Sequence, residues 1–379
     1  MPDTPFASLI NTHVSSQANI QPQVPDDRVI MKVSVFILLI LVQFTMLPAG
    51  VFAGHTVFED VVYATHPDVP DAHLFLKGDV YVPSGDGPYP ALMLMHGGAW
   101  QLGDENFYAD DWGPYLAERG IVVFSIQYRL SKPGGAYPSW PGCLLDAKAA
   151  LQFLRGNAAA YKVDPDRIAA GGDSAGGQLA ALLALTQDWP AFANKYPDEP
   201  YAKESTKVKA VVSAYGVFNI PGWWLWTKNP GFDWAPYGMT TFAEDLFGGT
   251  PKELPAAYFE ASAINYVRGS ATSLGDVSLS NAGIQVPWFI TWGMEDPDVP
   301  AEGQSVPFVA ALKDAGADVT AVPVPHVGHY WFNLGGITGQ NGVPTDCHFD
   351  YNTLEFKCNG VTPNDYVAPR LLKFIKENL

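Results

Sequence analysis

Ile168 to Leu185 reads IAAGGDSAGGQLAALLAL: a short apolar run, a burst of glycine around one serine, and an alanine- and leucine-rich segment with helical character. Gly172, Asp173, Ser174, Ala175 and Gly176 spell G-x-S-x-G, the spacing required when a serine occupies a strained strand-to-helix turn. Glycines on either side remove the side chains that would otherwise block the backbone there. Such a turn exposes the hydroxyl at a helix start, where free backbone N–H groups and the N-terminal dipole favour a developing oxyanion. With 36 glycines in the chain the pentapeptide alone could arise by chance. A strand pattern before it and a helix pattern after it supply the context that chance does not.

The 379 residues fit one large α/β domain, and length decides little beyond that. Hydrophobic residues make up 47% and charged residues 16%, which suits a large buried sheet and argues against disorder. A formal charge of -17 speaks against nucleic acid or an anionic membrane surface as a partner, since either would repel the chain as a whole.

From Met31 the sequence runs MKVSVFILLILVQFTMLPAGVFAG: one lysine, an apolar core from Val33 to Leu47, and Val51 and Ala53 in the small-residue positions of a signal-peptidase site. The expectation is a signal peptide at 31–53, a soluble secreted or periplasmic domain at 54–379, and no stable membrane partner after cleavage. Residues 1–30 then read as a misassigned start or a short tail. The alternative is an uncleaved membrane anchor, but the apolar run falls short of the ~20 residues of a membrane span and Pro48 breaks it. Cys347 and Cys358 flank a turn-rich insert that an exported protein can close with a disulfide, which leaves Cys143 as a buried thiol in a helical pattern. No Cys/His spacing resembles a zinc site.

Along the chain, His55 to Ala64 and His73 to Pro83 alternate as two antiparallel edge strands do. Ala91 to Met95 is a buried strand leading into His96, Gly97, Gly98, Ala99 and Trp100. Asp104 to Arg119 reads as helical, Ile121 to Ile126 as a strand, Pro141 to Tyr161 as an amphipathic helix, and Val163 to Arg167 as the turn into the serine strand. Val208 to Tyr215 is the next strand. Gly216 to Gly249 holds Trp223, Trp224, Trp226, Phe232, Trp234 and Tyr237 without a clean period, and reads as a cap-like insertion over the sheet's carboxyl edge or a satellite core beneath it. Strand Pro287 to Trp292, helix Ala301 to Ala315, strand Asp318 to Val324 and helix Val367 to Asn378 follow. The order implies a doubly wound, mainly parallel α/β sheet with active residues at strand carboxyl ends.

A serine hydroxyl is a poor nucleophile at neutral pH and needs a base, which in turn needs a carboxylate to fix its tautomer. Asp296 stands in a G-x-x-D-x-x-V-P loop just after a strand, and His329 follows the final strand behind Gly328. Rivals are close: Glu295 and Asp298 flank Asp296, and His326 precedes His329. Asp296 is favoured by its distance from the loop glycine, and His329 by its flanking glycine and aromatics. Chain order is then Ser, Asp, His. For the oxyanion, Gly97 and Gly98 can point backbone N–H groups into the site, and Ala175 supplies another. His96 reads as a brace of this loop. Trp100, Trp223 and Trp224 are candidate substrate contacts, offering flat apolar faces suited to short or aromatic acyl groups.

From about Tyr81 to the C-terminus the chain resembles the α/β-hydrolase esterases and lipases related to hormone-sensitive lipase and to bacterial feruloyl-esterase-like carboxylesterases. His96 to Ala99 is similar to their HGGG-type loop with alanine in the last place, and YRL at Tyr128, DPDRI at Asp164 and GDSAGG at Gly172 recur in their order. The resemblance implies an α/β-hydrolase fold and hydrolysis of small-molecule or polymer-attached esters without a cofactor. It also implies Ser174, Asp296 and His329 as triad and Gly97, Gly98 and Ala175 as oxyanion donors. Two departures stand out: the aspartate motif is closer to the feruloyl-esterase-like members, and no long helical cap precedes the first strands. HGGAW also resembles the H-G-G-x-W pattern of arylformamidases, which makes amide hydrolysis an alternative that export speaks against. The same fold also carries binding proteins that lack a triad residue, and here all three are present.

Overall fold

The computed structural model describes residues 54–65, 75–135, 137–187, 189–192, 196, 199–228, 241–267, 283–350, 353 and 355–379. The expected leader at 31–53, the stretch 1–30, and Phe232, Trp234 and Tyr237 lie outside them. Among the described residues no helix is long and apolar enough to cross a membrane.

Eight strands form one sheet: β1 (His55–Thr65), β2 (Phe75–Pro83), β3 (Tyr89–Met95), β4 (Val122–Ile126), β5 (Val163–Asp173), β6 (Val211–Ala214), β7 (Trp288–Gly293) and β8 (Val319–Val324). Their order is β1-β2-β4-β3-β5-β6-β7-β8. β1 and β2 pair antiparallel, as does β2 with β4, and every pairing from β4 to β8 is parallel. β4, β6 and β7 are buried along their whole length, as parallel strands covered on both faces must be. β1 is the outer edge and exposes Phe58 and Val62; its register shifts twice, once across Asp60, whose φ is 54°. There Asp60 turns its N–H to the Asp79 carboxylate of β2 at 2.9 Å.

Helices α1 (Trp112–Ala117), α2 (Gly142–Gly156), α3 (Ala175–Thr186), α4 (Ile220–Thr227), α5 (Phe242–Phe247), α6 (Pro255–Glu260), α7 (Ala263–Val267), α8 (Ser305–Asp314), α9 (Trp331–Leu334) and α10 (Pro363–Asn378) connect them. Right-handed crossovers fix their sides. The chain moves one way across the sheet from β3 to β4 and the other way in every later crossover, so α1 lies opposite α2, α3 and α8. α10 joins the α1 side, where Trp112 and Asn364 both donate to the Phe332 carbonyl.

Four expectations are revised. Asp104 to Arg119 is not one helix: Asp104 caps a short 3₁₀ turn, Asp111 caps α1, and each aspartate restarts the chain by taking up a free N–H. The VDPDR segment is not a turn ahead of the strand. Val163 already pairs with Tyr89 and Ile168 with Ala91, so 164–167 bulge out of a strand under way. The insertion after Gly216 is partly helical, with Asn219 capping α4 and Pro221 tolerated in its first turn. At the chain's end, the Thr362–Asp365 capping box starts α10 one turn earlier than the apolar pattern suggests.

Cys347 and Cys358 are joined and clamp a hairpin of β9 (Cys347–Asp350) and β10 (Glu355–Cys358). Cys143 is buried and unpaired, and burial pushes its thiol pKa up to about 12, which leaves it unreactive as a thiolate. Alkylation of the denatured protein without reductant should therefore label one cysteine, and after reduction three. Three labels without reductant would show that the hairpin is open.

Candidate active site

The site is built on one close approach. β5 runs beside β3, and a Cβ on Gly172 or Gly176 would lie 2.3 Å or 1.8 Å from the Met95 carbonyl oxygen. Only glycine fits at either place, so strand and helix close tightly around Ser174, which takes φ 52° and ψ −117°. A left-handed non-glycine residue costs about 1 to 3 kcal/mol and persists only where its surroundings over-determine it. Here Ser174 donates its N–H to Ala214 O at 2.8 Å while α3 begins directly behind it.

His329 reaches the turn from the loop after β8. Its Nε2 lies 3.1 Å from Ser174 Oγ and its Nδ1 2.7 Å from Asp296 Oδ2. Asp296 Oδ1 accepts the N–H groups of Asp298 and Val299, each at 2.9 Å, so backbone fixes the carboxylate. Ser174, Asp296 and His329 are all buried. Burial alone would pull the imidazole pKa down. The Asp296 charge and hydrogen bond outweigh it, with Asp298 and Asp173 adding to them, and hold His329 above its ordinary value. The Tyr215 ring lies against the imidazole at 4.2 Å. An imidazole held so can take the serine proton from one side while the carboxylate stabilises the resulting cation from the other.

The rival residues sort clearly. His326 and Glu295 are exposed and face each other at 3.4 Å. Asp298 is buried beside the relay, within 4.8 Å of Asp296 and His329, rather than solvated. Those three could group around a cation, but both Asp296 oxygens and both His329 nitrogens are engaged in the relay.

The loop after β3 differs from expectation at Gly97. Its N–H donates to Asp173 Oδ1 at 2.9 Å, so it holds the loop to the serine turn and does not face the site. A Cβ there would meet Asp173 Oδ2 at 2.5 Å, which is why the position is glycine. The N–H groups of Gly98, the following Ala99, and Ala175 at the start of α3 remain as candidate donors. His96 does brace the loop: it is buried, stacks on Tyr128 with ring centroids 4.2 Å apart, and burial drives its pKa down to about 4, so it stays neutral. Sequence reasoning passed over Asp173 as the variable residue of the motif. Its buried carboxylate also accepts Tyr108 Oη at 2.5 Å and Tyr215 Oη at 3.3 Å, and Tyr215 Oη in turn accepts the Phe332 N–H at 3.0 Å. The serine turn, the β3 loop and the histidine loop thus meet on one carboxylate.

The tryptophans are placed differently from the expectation that they contact substrate. Trp100 is 0% exposed, with its indole N–H on Gln178 Oε1 at 3.1 Å. Trp223 is buried and donates to Asp298 O at 2.8 Å. Trp224, partly buried, donates to Glu244 at 2.8 Å with Lys228 over its ring. Each indole N–H is spent on the protein itself, and for the buried Trp100 and Trp223 packing accounts for the whole ring.

Fold and site together are those of an α/β hydrolase with a nucleophile elbow. The chain belongs to the BD-FAE family, whose model matches residues 78–312. It is similar to the esterase LipQ of Mycobacterium tuberculosis, 30% identical over 246 residues that cover 65% of this chain and 51% of LipQ. The chain spans about half the length of the curated relatives it matches. Among solved structures it is similar to a butyrate-bound thermophilic esterase of the planctomycete Thermogutta terrifontis, at 26% identity and TM-score 0.53, covering 75% of this chain and 88% of that one. A truncated carbohydrate esterase from gut microbiota shares the fold, at 24% identity and TM-score 0.56, covering 74% of this chain and 91% of that one.

Gly176→Ala tests the close approach. Its methyl cannot fit against Met95 O, so the variant should lose about 2 kcal/mol or more of stability, measured as a lowered midpoint of thermal unfolding. An unchanged midpoint would mean that β3 and α3 do not meet as described.

Proposed function

We propose that the protein is a serine carboxylesterase acting on short-chain or aromatic acyl esters, small or polymer-attached. The observation that carries this reading is the buried relay of Ser174 Oγ, His329 and Asp296 at 3.1 Å and 2.7 Å, set on a strained elbow. Ser174 Oγ attacks the ester carbonyl as His329 Nε2 takes its proton. The oxyanion settles on the N–H groups of Gly98, Ala99 and Ala175. The C–O bond then breaks, the leaving alcohol takes the proton from His329, and an acyl-serine remains. Water repeats the sequence to release the acid. Family membership and the esterase names among the relatives support the reaction class, and the propionate and butyrate complexes of the Thermogutta relative support a short acyl group. Export is part of the proposal, since the Cys347–Cys358 disulfide fits an oxidising compartment.

The test is a panel of p-nitrophenyl esters of rising chain length, with N-formylkynurenine alongside. Ester cleavage with an optimum at short chains is expected; an optimum at twelve carbons or longer would reverse the acyl assignment, and cleavage of the formamide alone would make the chain an amidase. Ser174→Ala should lower kcat by about 10⁴-fold or more while leaving the unfolding midpoint nearly unchanged.

The pH profile carries a sign. The base must be neutral to accept a proton, and Asp296 holds the His329 pKa above its ordinary value. kcat/KM should therefore rise through one step whose midpoint lies above that of free imidazole. A midpoint below it would mean that Asp296 is not paired with His329 in solution.

A further inference from the structure

The mechanism uses four loops that come from separate parts of the chain: the one after β3, the serine turn leading into α3, the acid loop after β7 and the histidine loop after β8. Asp173 ties the first two to the histidine loop, and Glu295 N–H on Val327 O at 2.9 Å ties the acid loop to it, but among the described residues no backbone hydrogen bond joins the acid loop to the β3 loop. A chain of buried side chains does. Trp223, on α4, donates its indole N–H to Asp298 O at 2.8 Å, in the turn whose N–H groups at Asp298 and Val299 hold Asp296 Oδ1. Its ring meets Trp100 edge to face, with centroids 5.8 Å apart and planes at 74°. Trp100 donates to Gln178 Oε1 at 3.1 Å, and Gln178, on α3 four residues past Ser174, donates to Ala261 O at 2.8 Å. Trp100, Trp223 and Gln178 are all buried.

The backbone of the β3 loop shows why an anchor is needed. Ala99 and Trp100 are consecutive non-glycine residues with φ of 51° and 60°. The fully buried Trp100 ring and the Trp100 carbonyl, which accepts Ser131 N–H at 2.8 Å, hold that conformation. Gly98 directly precedes this pair and itself takes a φ of 101°.

We infer that the Trp100–Trp223 pair is a positioning unit for the reaction, a strut that sets the acid loop and the oxyanion loop in register across the nucleophile helix. The inference rests on the esterase reading for its kinetics. It does not need that reading for its structure. Neither indole touches substrate: Trp223 acts through Asp298 and Asp296 on His329, and Trp100 acts through the backbone of Gly98 and Ala99. The groups facing the His329 imidazole are Ser174, Asp296, Asp298, Asp173, Tyr215 and Tyr330, and of these Trp223 holds the Asp296–Asp298 turn.

Trp223→Phe in the full chain removes the N–H and keeps most of the ring. Displacement of a catalytic group by a fraction of an ångström lowers turnover steeply, so kcat on a short-chain p-nitrophenyl ester should fall about tenfold or more while KM stays within about twofold. As Asp296 loosens, the midpoint of the kcat/KM profile should move to lower pH, and so should the His329 titration followed by NMR, which needs no substrate. Trp100→Phe should lower kcat without moving that titration, because it releases the oxyanion loop and not the acid. A folded Trp223→Phe protein with the wild-type His329 titration overturns the inference whether or not esters are cleaved. A raised KM at unchanged kcat also overturns it, since that marks the indole as a substrate contact. If the wild-type chain cleaves no ester in the panel while the titration shifts as stated, the esterase reading fails and the strut stands.

Discussion

Met95 carries the constraint on which the rest of the structure depends. Its carbonyl oxygen leaves no room for a β-carbon on either side of Ser174, so Gly172 and Gly176 are fixed by sterics before any chemistry is considered. The Tyr108 hydroxyl lies 3.0 Å from the same oxygen and gives its proton to Asp173 at the end of β5, which ties the 3₁₀ turn after β3 to the serine strand. Because β3 and β5 are neighbours at the centre of a parallel sheet, their carboxyl ends open onto one edge. Every loop that contributes to the site must reach that edge. The left-handed conformation of Ser174 is the local cost of that closeness, and the fully buried α3 behind it keeps the turn from relaxing.

Around this point the protein buries charge selectively. Asp173, Asp296 and Asp298 all lie inside, near one imidazole. Three carboxyl groups so placed favour a positive His329, the state it must visit when it holds a proton from serine. Asp146, elsewhere in the core, is neutralised by a two-pronged hydrogen bond from Arg129, as a buried carboxylate with a purely architectural role can be. In the site the carboxyl groups of Asp296, Asp298 and Asp173 act on the imidazole instead.

Much of this was legible in the sequence, for a physical reason. Ser174, Asp296 and His329 each stand next to a glycine or a tight loop at the end of an apolar run, and backbone constraints of that kind write themselves into local sequence. Interactions between distant segments leave no such mark. Nothing in HGGAW says that the Gly97 N–H is taken by Asp173, 76 residues on, or that Gln178 waits for the Trp100 indole. A cluster of tryptophans signals apolar surface but not its partner, so Trp100 and Trp223 read as ligand contacts when they are spent inside. The VDPDR segment misleads in the opposite sense: turn-forming residues announce a local bend, and a bulge within a continuing strand bends the chain as well as a turn does.

β1 lies at the border of the sheet and shows Phe58 and Val62 to the outside, the combination that invites a second molecule to add its own strand. The two register shifts remove that invitation. At Asp60 the left-handed backbone turns an N–H inward to Asp79, and the Lys77–Asp60 ion pair places charge at the same spot. An approaching strand would find its hydrogen-bonding ladder interrupted after a few rungs, with a buried ion pair's worth of desolvation to overcome at the break. The irregularity that looks like a flaw in the first strand thus breaks the ladder that edge-to-edge pairing with another chain would need.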